Sequence, residues 1–396
     1  MYGFLKNLRF FDAFFILFLV EKGISFTQIG FLYAAREIVT NLFELPSGIL
    51  ADAFGRKRAL AGSFILYISS FILFYLFQNF WFFLIAFILF GLAEAFRSGT
   101  HQGMIMDYLK LNDMEAHSAN YYGHTRSWSQ KGSALSALLA GFIVFYGGSF
   151  QSVFLYSIVP YVLNLLLILS YPAVLNRSLE PAVKQRQKRI GSAIRMLADI
   201  LKRPPVLKII YSSASHTAYL RSVKDYIQLV MLNVVLLIPL LLSLEQEKKS
   251  GLFIGIMYFL IYLATSTASK YSSHLAKRSR RNVVFISMLA GFLAGAISGL
   301  AFLYEFWSIS LLAFAGIYVM ENIRKPLLTG AIADQVPKEI LTSVISAQTL
   351  LRTVFTSILA LVFGWAADHY GVGFSLFSIS LLLLLNGLLL QRIIKS

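Results

Sequence analysis

The sequence contains no cysteine, which excludes a disulfide framework, a thiolate metal site and a thiol nucleophile. Charge is scarce as well. Asp, Glu, Lys and Arg supply 14% of the 396 residues, against about 25% in a soluble globular protein, and this argues against a water-soluble enzyme. No Gly-rich phosphate loop is present, so ATP is not the expected energy source. Nor is there a Ser-His-Asp spacing, a paired metal-ligand set or an HExxH stretch, so catalysis has no foothold, and neither cofactor nor metal is expected. Acids are fewer than bases, 19 against 35, for a formal charge of +16. That excess lies between apolar runs rather than on one soluble module, which excludes nucleic acid as the main partner.

Apolar residues are abundant, at 57% of the chain. A helix needs about 20 of them in a row to cross a bilayer. Runs bounded by Gly, Pro or charge predict spans over 5–21, 27–48, 60–78, 80–107, 124–146 and 151–170, then 206–229, 251–271, 283–303, 307–330, 344–368 and 373–391. The amino terminus has Asp12 early in its apolar run and no small-residue cleavage pattern, so it reads as a retained first span. Twenty-three of the 35 Lys and Arg, Lys6 and Arg9 among them, fall on segments that this count makes cytoplasmic. The bias predicts both termini inside, in a multi-pass protein of the cytoplasmic membrane. Residues 206–244 are too long for one straight span, and Val230 to Leu244, with Pro239, is assigned to an outer-surface segment. A separate crossing there would move Lys277, Arg278, Arg280 and Arg281 outside.

Glu94, Arg97, Gly103 and Asp107 recur 227 residues later as Glu321, Arg324, Gly330 and Asp334. Parallel halves of six spans each accommodate such a repeat. The expected organisation is a bundle over 1–170, a basic linker over 171–205 and a second bundle over 206–396. In the linker, Ile190, Ile194, Leu197 and Leu201 oppose Lys188, Arg189, Arg195 and Lys202, the pattern of either a helix on the inner membrane surface or a solvated linker helix.

Residues 48–60 read GILADAFGRKRAL. Gly48 and Gly55 permit close approach and a tight turn, Asp52 suits a helix amino terminus or a cation, and Arg56 to Arg58 suit a membrane interface. The stretch resembles the loop signature of the major facilitator superfamily, G-x-L-A-D-x-x-G-R-K-x-x-L, at Gly48, Leu50, Ala51, Asp52, Gly55, Arg56, Lys57 and Leu60. That resemblance implies an all-α fold of twelve transmembrane helices in two pseudo-symmetric six-helix bundles, with Gly48, Asp52, Gly55, Arg56 and Lys57 as a conformational gate. The corresponding second-half loop keeps Leu275 and Ala276 but has Lys277 in place of the acid. Gly364, Asp368 and Gly371 repeat the Gly48, Asp52, Gly55 spacing without the Arg-Lys pair, and are assigned no function.

In that family spans one, four, seven and ten line a central cavity. Here they hold Asp12, Glu94, Arg97, His216, Arg221, Lys224, Asp225, Glu321, Arg324 and Lys325. Charges at membrane depth need partners or water. Helical spacing puts Glu94, Arg97 and His101 on one face, and Tyr318, Glu321, Arg324 and Lys325 on another. In span seven, Ser212, Ser215, Tyr219, Ser222 and Tyr226 form a hydroxyl stripe beside His216, read as a polar wall, and Arg221 has the spacing to pair with Asp225. Either the Glu-Arg pairs merely hold helices together, or they handle substrate and protons; the second reading is preferred. His101 reads as a packing residue. Glu37 and Glu44 read as partners of Arg36 or Lys131, and Arg352 answers either Asp52 or Glu321. With Asp12, these complete a secondary set of candidates: Asp12, Glu37, Glu44, Lys131 and Arg352. Most Phe and Tyr residues are expected to face lipid or the interface.

The function expected is secondary active transport of a small-molecule substrate by alternating access, by a monomer in a lipid bilayer with a proton as coupling ion and sodium as the alternative ion. Efflux of a drug or metabolite is suggested by the loop signature. Uptake of an organic anion or zwitterion by symport is suggested by the excess of in-span cations. A non-transporting receptor or scaffold on the same fold is the alternative of a different class.

Overall fold

The computed structural model describes residues 1–114, 118–176, 204–238, 245–333 and 338–393. Most of the linker, with its amphipathic pattern, lies outside these residues, as do Pro239 and Asp334. No strand occurs among the described residues. The helices are α1 (Tyr2–Lys6), α2 (Phe15–Glu21), α3 (Phe26–Phe54), α4 (Arg56–Leu76), α5 (Phe80–Leu111), α6 (Ser118–Gly147) and α7 (Ser152–Leu169), followed by α8 (Pro204–Val223), α9 (Ile227–Val235), α10 (Gln246–Leu303), α11 (Trp307–Ala333), α12 (Lys338–Tyr370) and α13 (Val372–Ile393). Among the described residues, seven helical stretches are long and apolar enough to cross a membrane: Arg56–Leu76, Phe80–Leu111, Ser152–Leu169, Gln246–Ser269, Val283–Leu303, Val344–Tyr370 and Val372–Leu389.

Three expectations are corrected. The first span is broken, with a 3₁₀ turn at Phe10–Ala13 between α1 and α2. No Gly or Pro causes the break. Polar side chains stabilise it instead: Tyr161 donates to the Lys6 carbonyl at 3.1 Å, Asn164 to the Tyr2 carbonyl at 3.2 Å and Asn7 to the Gly3 carbonyl at 2.6 Å, which satisfies backbone groups that hydrocarbon cannot. The seventh span likewise breaks at a 3₁₀ turn, Lys224–Tyr226. Beyond it, Ile227, Val230, Met231 and Val234 share one face of α9 and are buried, so this part of the segment is not a surface strip. Finally, the basic stretch Lys277 to Arg281 is helical rather than a loop, within the 58 residues of α10. Between Gly255 and Gly291 the sequence has no Gly or Pro to end a helix.

The chain divides into two compact units. Unit 1 holds Met1–Lys22, Ala35–Lys188 and Glu245–Phe259; unit 2 holds Gly23–Ala34, Arg189–Leu244 and Leu260–Ser396.

Unit 1 has an aromatic core, contrary to the lipid-facing expectation. Phe11, Phe14, Phe15 and Phe18 form a helical stripe, and Phe64, Tyr67, Phe71 and Phe74 form another on α4; all are buried. Phe154 closes the cluster, with ring centroids 4.7 Å from Phe18 and 4.9 Å from Phe74. Lipid tails solvate Phe as well as protein does, so the gain here is close packing, about 0.5–1.5 kcal/mol for each well-oriented ring pair. Elsewhere in the unit, α6 and α10 approach where Gly141 meets Gly251 and Gly255: a Cβ on Gly141 would lie 2.8 Å from the Gly251 carbonyl oxygen.

Unit 2 contains an equivalent approach of α3 to α12. Gly30 lies against the Ala360 carbonyl and Gly364 against that of Phe26, with no room for a Cβ at either position. Asp368 then caps the start of α3, accepting from the Phe26 amide at 2.8 Å and the Thr27 amide at 2.7 Å. The residues that the sequence reading left without a role therefore have one. Gly371 supplies the turn after α12 with φ of 82°.

Candidate functional site

Glu94 and Glu321 each occupy the fifteenth position of their helix, α5 and α11, about 21 Å from its start. At both, an arginine three residues later turns back toward the carboxylate. The surroundings of the two pairs differ.

In unit 1, Glu94 sits between two arginines. Its Oε1 accepts from Arg9 Nη2 at 2.5 Å, and its Oε2 accepts from Arg97 Nη2. Each guanidinium is also braced by a tyrosine: Arg97 Nε donates to Tyr67 Oη and Arg9 Nε to Tyr161 Oη, both at 3.1 Å. The break in span one turns Arg9 inward, since Tyr161 holds both the freed Lys6 carbonyl and the Arg9 side chain. Lys6 and Asp12 are electrostatic neighbours of this group. The three central side chains remain reachable, with 19% of Arg9, 20% of Glu94 and 17% of Arg97 exposed. His101 stacks on Tyr2 at 3.7 Å between ring centroids, in keeping with a packing role.

In unit 2 the group is sealed. His216 Nδ1 lies 2.8 Å from Glu321 Oε2, and Thr217 Oγ1 donates to Oε1 at 2.7 Å. The far ring nitrogen of His216, Nε2, abuts Gly291 and has no hydrogen-bond partner among the described residues. Arg324 is wholly buried, donating through Nη1 to the Val284 carbonyl at 2.7 Å and through Nη2 to the Ser212 carbonyl. Its Nε is 4.0 Å from Glu321. These bonds make Arg324 a tie between α8, α10 and α11 rather than a ligand-facing cation. The hydroxyl stripe is also internal: Ser212, Ser215, Tyr219 and Ser222 are buried, Tyr219 pairs with Ser380 at 2.6 Å, and Ser222 bonds back to the Ala218 carbonyl at 2.8 Å.

A second polar knot in unit 2 surrounds the break in span seven. Asp225 accepts from Tyr33 at 2.8 Å and pairs with Lys224 at 3.2 Å, while Tyr318 donates to the Lys224 carbonyl at 2.7 Å. Arg221 lies in the last turn of α8, and Lys325 is exposed.

At the loop between α3 and α4, Arg56 is buried and joins two carboxylates, Asp52 at 3.0 Å and Asp107 at 2.6 Å. This corrects the reading of Arg56 as an interface cation. Gly103 shares in it, because a Cβ there would lie 2.6 Å from Arg56 Nη1. Gly48 is buried in α3, Gly55 turns the chain with φ of 103°, and Lys57 donates to the Tyr171 carbonyl at 2.6 Å. Of the secondary candidates, Glu37 pairs with Arg36 at 3.7 Å, Glu44 and Lys131 are exposed, Lys131 lies over Trp128, and Arg352 lies in α12.

Arg9, Tyr67, Tyr161 and Thr217 complete the two clusters and are absent from the sequence-derived set. The sequence places Arg9 among the cytoplasmic positives; its spacing of three from both Lys6 and Asp12 is the signal that singles it out. Tyr67 and Tyr161 carry none, being tyrosines in apolar runs.

The sequence pattern of the Major Facilitator Superfamily matches residues 7–360. An uncharacterized MFS-type transporter, YxaM of Bacillus subtilis (strain 168), is 34% identical over 92 residues, which are 23% of this chain and 23% of that relative's length. The fold is similar to that of the nucleoside transporter NupG, with a TM-score of 0.75 at 13% identity over 99% of this chain and 98% of that one. It is also similar to a D-xylose-proton symporter, with a TM-score of 0.69 at 15% identity over 98% and 95%.

Proposed function

Since the chain belongs to the Major Facilitator Superfamily, we propose that it is a secondary active transporter that moves a small solute across a membrane and is coupled to protons. The observation that carries this reading is the pair of carboxylate-arginine clusters, set at equal depth in two helices and differently enclosed. Ionisable groups at membrane depth are costly and mark solute or proton paths. The reachable Arg9–Glu94–Arg97 group suits a solute. The sealed His216–Glu321 pair suits a proton, which needs no opening of its own size.

Local chemistry supports the division. A proton on His216 Nε2 would be buried without an acceptor, so the ring holds one proton at most, on the Nδ1 side. A further proton is accommodated on Glu321, where the Thr217 hydroxyl can turn from donor to acceptor. Loading Glu321 would loosen its attraction to Arg324, which ties three helices, and so connect protonation to helix position. In this reading the Arg56 triad serves as a gate, the protein works as a monomer in the cytoplasmic membrane with both termini inside, and no cofactor is required.

The experiment is flux in proteoliposomes carrying a trapped pH indicator, with small solutes supplied outside under an imposed proton gradient. A solute that moves protons in wild type should fail to do so in Glu321→Gln, while that variant still binds the solute. Undiminished proton movement in Glu321→Gln would overturn the proton role. Absence of any solute flux in wild type would favour a receptor or scaffold.

A further inference from the structure

We infer that the Arg9–Glu94–Arg97 group of unit 1 is a binding site for a small organic monoanion, such as a carboxylate; this rests on the transport reading above and names its solute class. The argument is one of charge and unused donors. Around Glu94 stand Lys6, Arg9 and Arg97 as cations and Glu94 and Asp12 as anions, a formal excess of one positive charge with Lys6 protonated. The other titratable groups facing it, Tyr2 from α1, Tyr67 from α4, His101 from α5 and Tyr161 from α7, add no negative charge while neutral. Arg36, over the same Phe90 ring as Arg9, has its own carboxylate in Glu37. In unit 2 the buried Glu321 and Arg324 balance one for one, and the further cation near Glu321, Lys325, is exposed.

An uncompensated cation within a membrane-spanning helix is unfavourable until an anion joins it. The donors for that anion are in place. Each guanidinium engages Nε with a tyrosine and Nη2 with Glu94, and neither Nη1 makes a hydrogen bond with a described residue. The Tyr2 hydroxyl is buried beside Arg97 and within its hydrogen-bonding reach, which helps to hold that guanidinium in place. The two Nη1 groups, held by tyrosine braces and by Glu94 beside one excess charge, match the two oxygens of a carboxylate in number and sign. Glu94 fixes the two arginines at a set separation, so it acts as a positioning residue whose charge limits the site to one negative charge.

The test is thermal stabilisation of the detergent-purified full chain by acetate, lactate and benzoate, with benzylamine and benzyl alcohol as cationic and neutral counterparts. The anions should stabilise wild type selectively, and the selectivity should vanish in Arg97→Gln and in Arg9→Gln. Glu94→Gln raises the excess to two, so anion affinity should rise by roughly tenfold or more, with a larger anion-dependent shift even where its basal stability is lower. A merely structural pair would lose stability in all three variants without changing preference for sign. Benzylamine stabilising wild type but not Glu94→Gln would assign recognition to the acid and overturn the inference, as would failure of every anion. If a neutral or cationic solute drives proton flux in proteoliposomes, the transporter reading stands while the anion site falls.

Discussion

Removing the Asp368 carboxylate tests whether a side chain at the end of α12 holds the start of α3. The two amides it receives, those of Phe26 and Thr27, belong to the first turn of α3, where helical amides lack partners of their own and the helix dipole favours a negative charge. Replacing a capping carboxylate by alanine costs about 0.5–2 kcal/mol. Asp368 is exposed, so the loss belongs near the middle of that range, about 1 kcal/mol, or roughly a fivefold fall in the ratio of joined to separated helix ends. Asp368→Asn keeps one acceptor and should give roughly a twofold fall. The absence of native cysteine allows spin labels on single cysteines at Phe31 and Tyr370, both exposed, with the ratio read from their distance distribution. Gly364→Leu supplies the contrast, since it pushes α3 away by bulk alone. An unchanged distribution in Asp368→Ala beside a shifted one in Gly364→Leu would show that packing joins these ends and that the cap is incidental.

Gly103→Ala should reproduce the defect of Arg56→Gln, because the added methyl occupies the space of the Arg56 guanidinium. Thermal unfolding should show about 1–3 kcal/mol for each and far less than the sum for the pair; additive losses would separate the two residues. Arg324→Ala should cost about 3–5 kcal/mol of stability by leaving Glu321 short of its buried counter-charge, seen as poor recovery of folded protein, and Arg324→Met with Glu321→Gln should recover much of it. A well-folded Arg324→Ala with weakened solute binding would instead return Arg324 to the ligand-facing set.

The helical class and the repeat were legible because periodicity and charge in apolar runs survive without knowledge of neighbours. Glu94 with Arg97 and Glu321 with Arg324 pair over three residues, a distance that sequence displays directly. Contacts distant in sequence were not legible. Asp368 caps a helix 342 residues away, whereas a sequence search for caps looks within a turn of the helix it serves. The break in span one was hidden for a related reason: its cause is not a breaker inside residues 7–14 but Tyr161 and Asn164 on α7. The aromatic core of unit 1 departs from the lipid-facing expectation because apolar composition does not distinguish lipid from protein as a neighbour, although the stripes Phe11, Phe14, Phe15, Phe18 and Phe64, Tyr67, Phe71, Phe74 are visible as spacing.

The repeat itself shows how far identity at matched positions determines chemistry. The same Glu-x-x-Arg step, at the same depth, becomes reachable on α5 and sealed on α11 because of residues that do not repeat. On α5 the arginine Nε meets a tyrosine hydroxyl and the carboxylate meets a second arginine, so the guanidinium keeps donors in reserve. On α11 the corresponding arginine donates to the backbone carbonyls of Ser212 and Val284, and the carboxylate turns to His216 and Thr217. A carbonyl dipole satisfies a guanidinium without cancelling its charge, so Arg324 still requires Glu321, and the two are held as one buried unit. A hydroxyl brace on Arg97 likewise leaves its charge intact, but there a second arginine competes for the single carboxylate. The two Glu-Arg pairs of the repeat therefore differ through their neighbours, and on α5 the decisive one is Arg9, a residue outside the repeat that a break in span one turns inward.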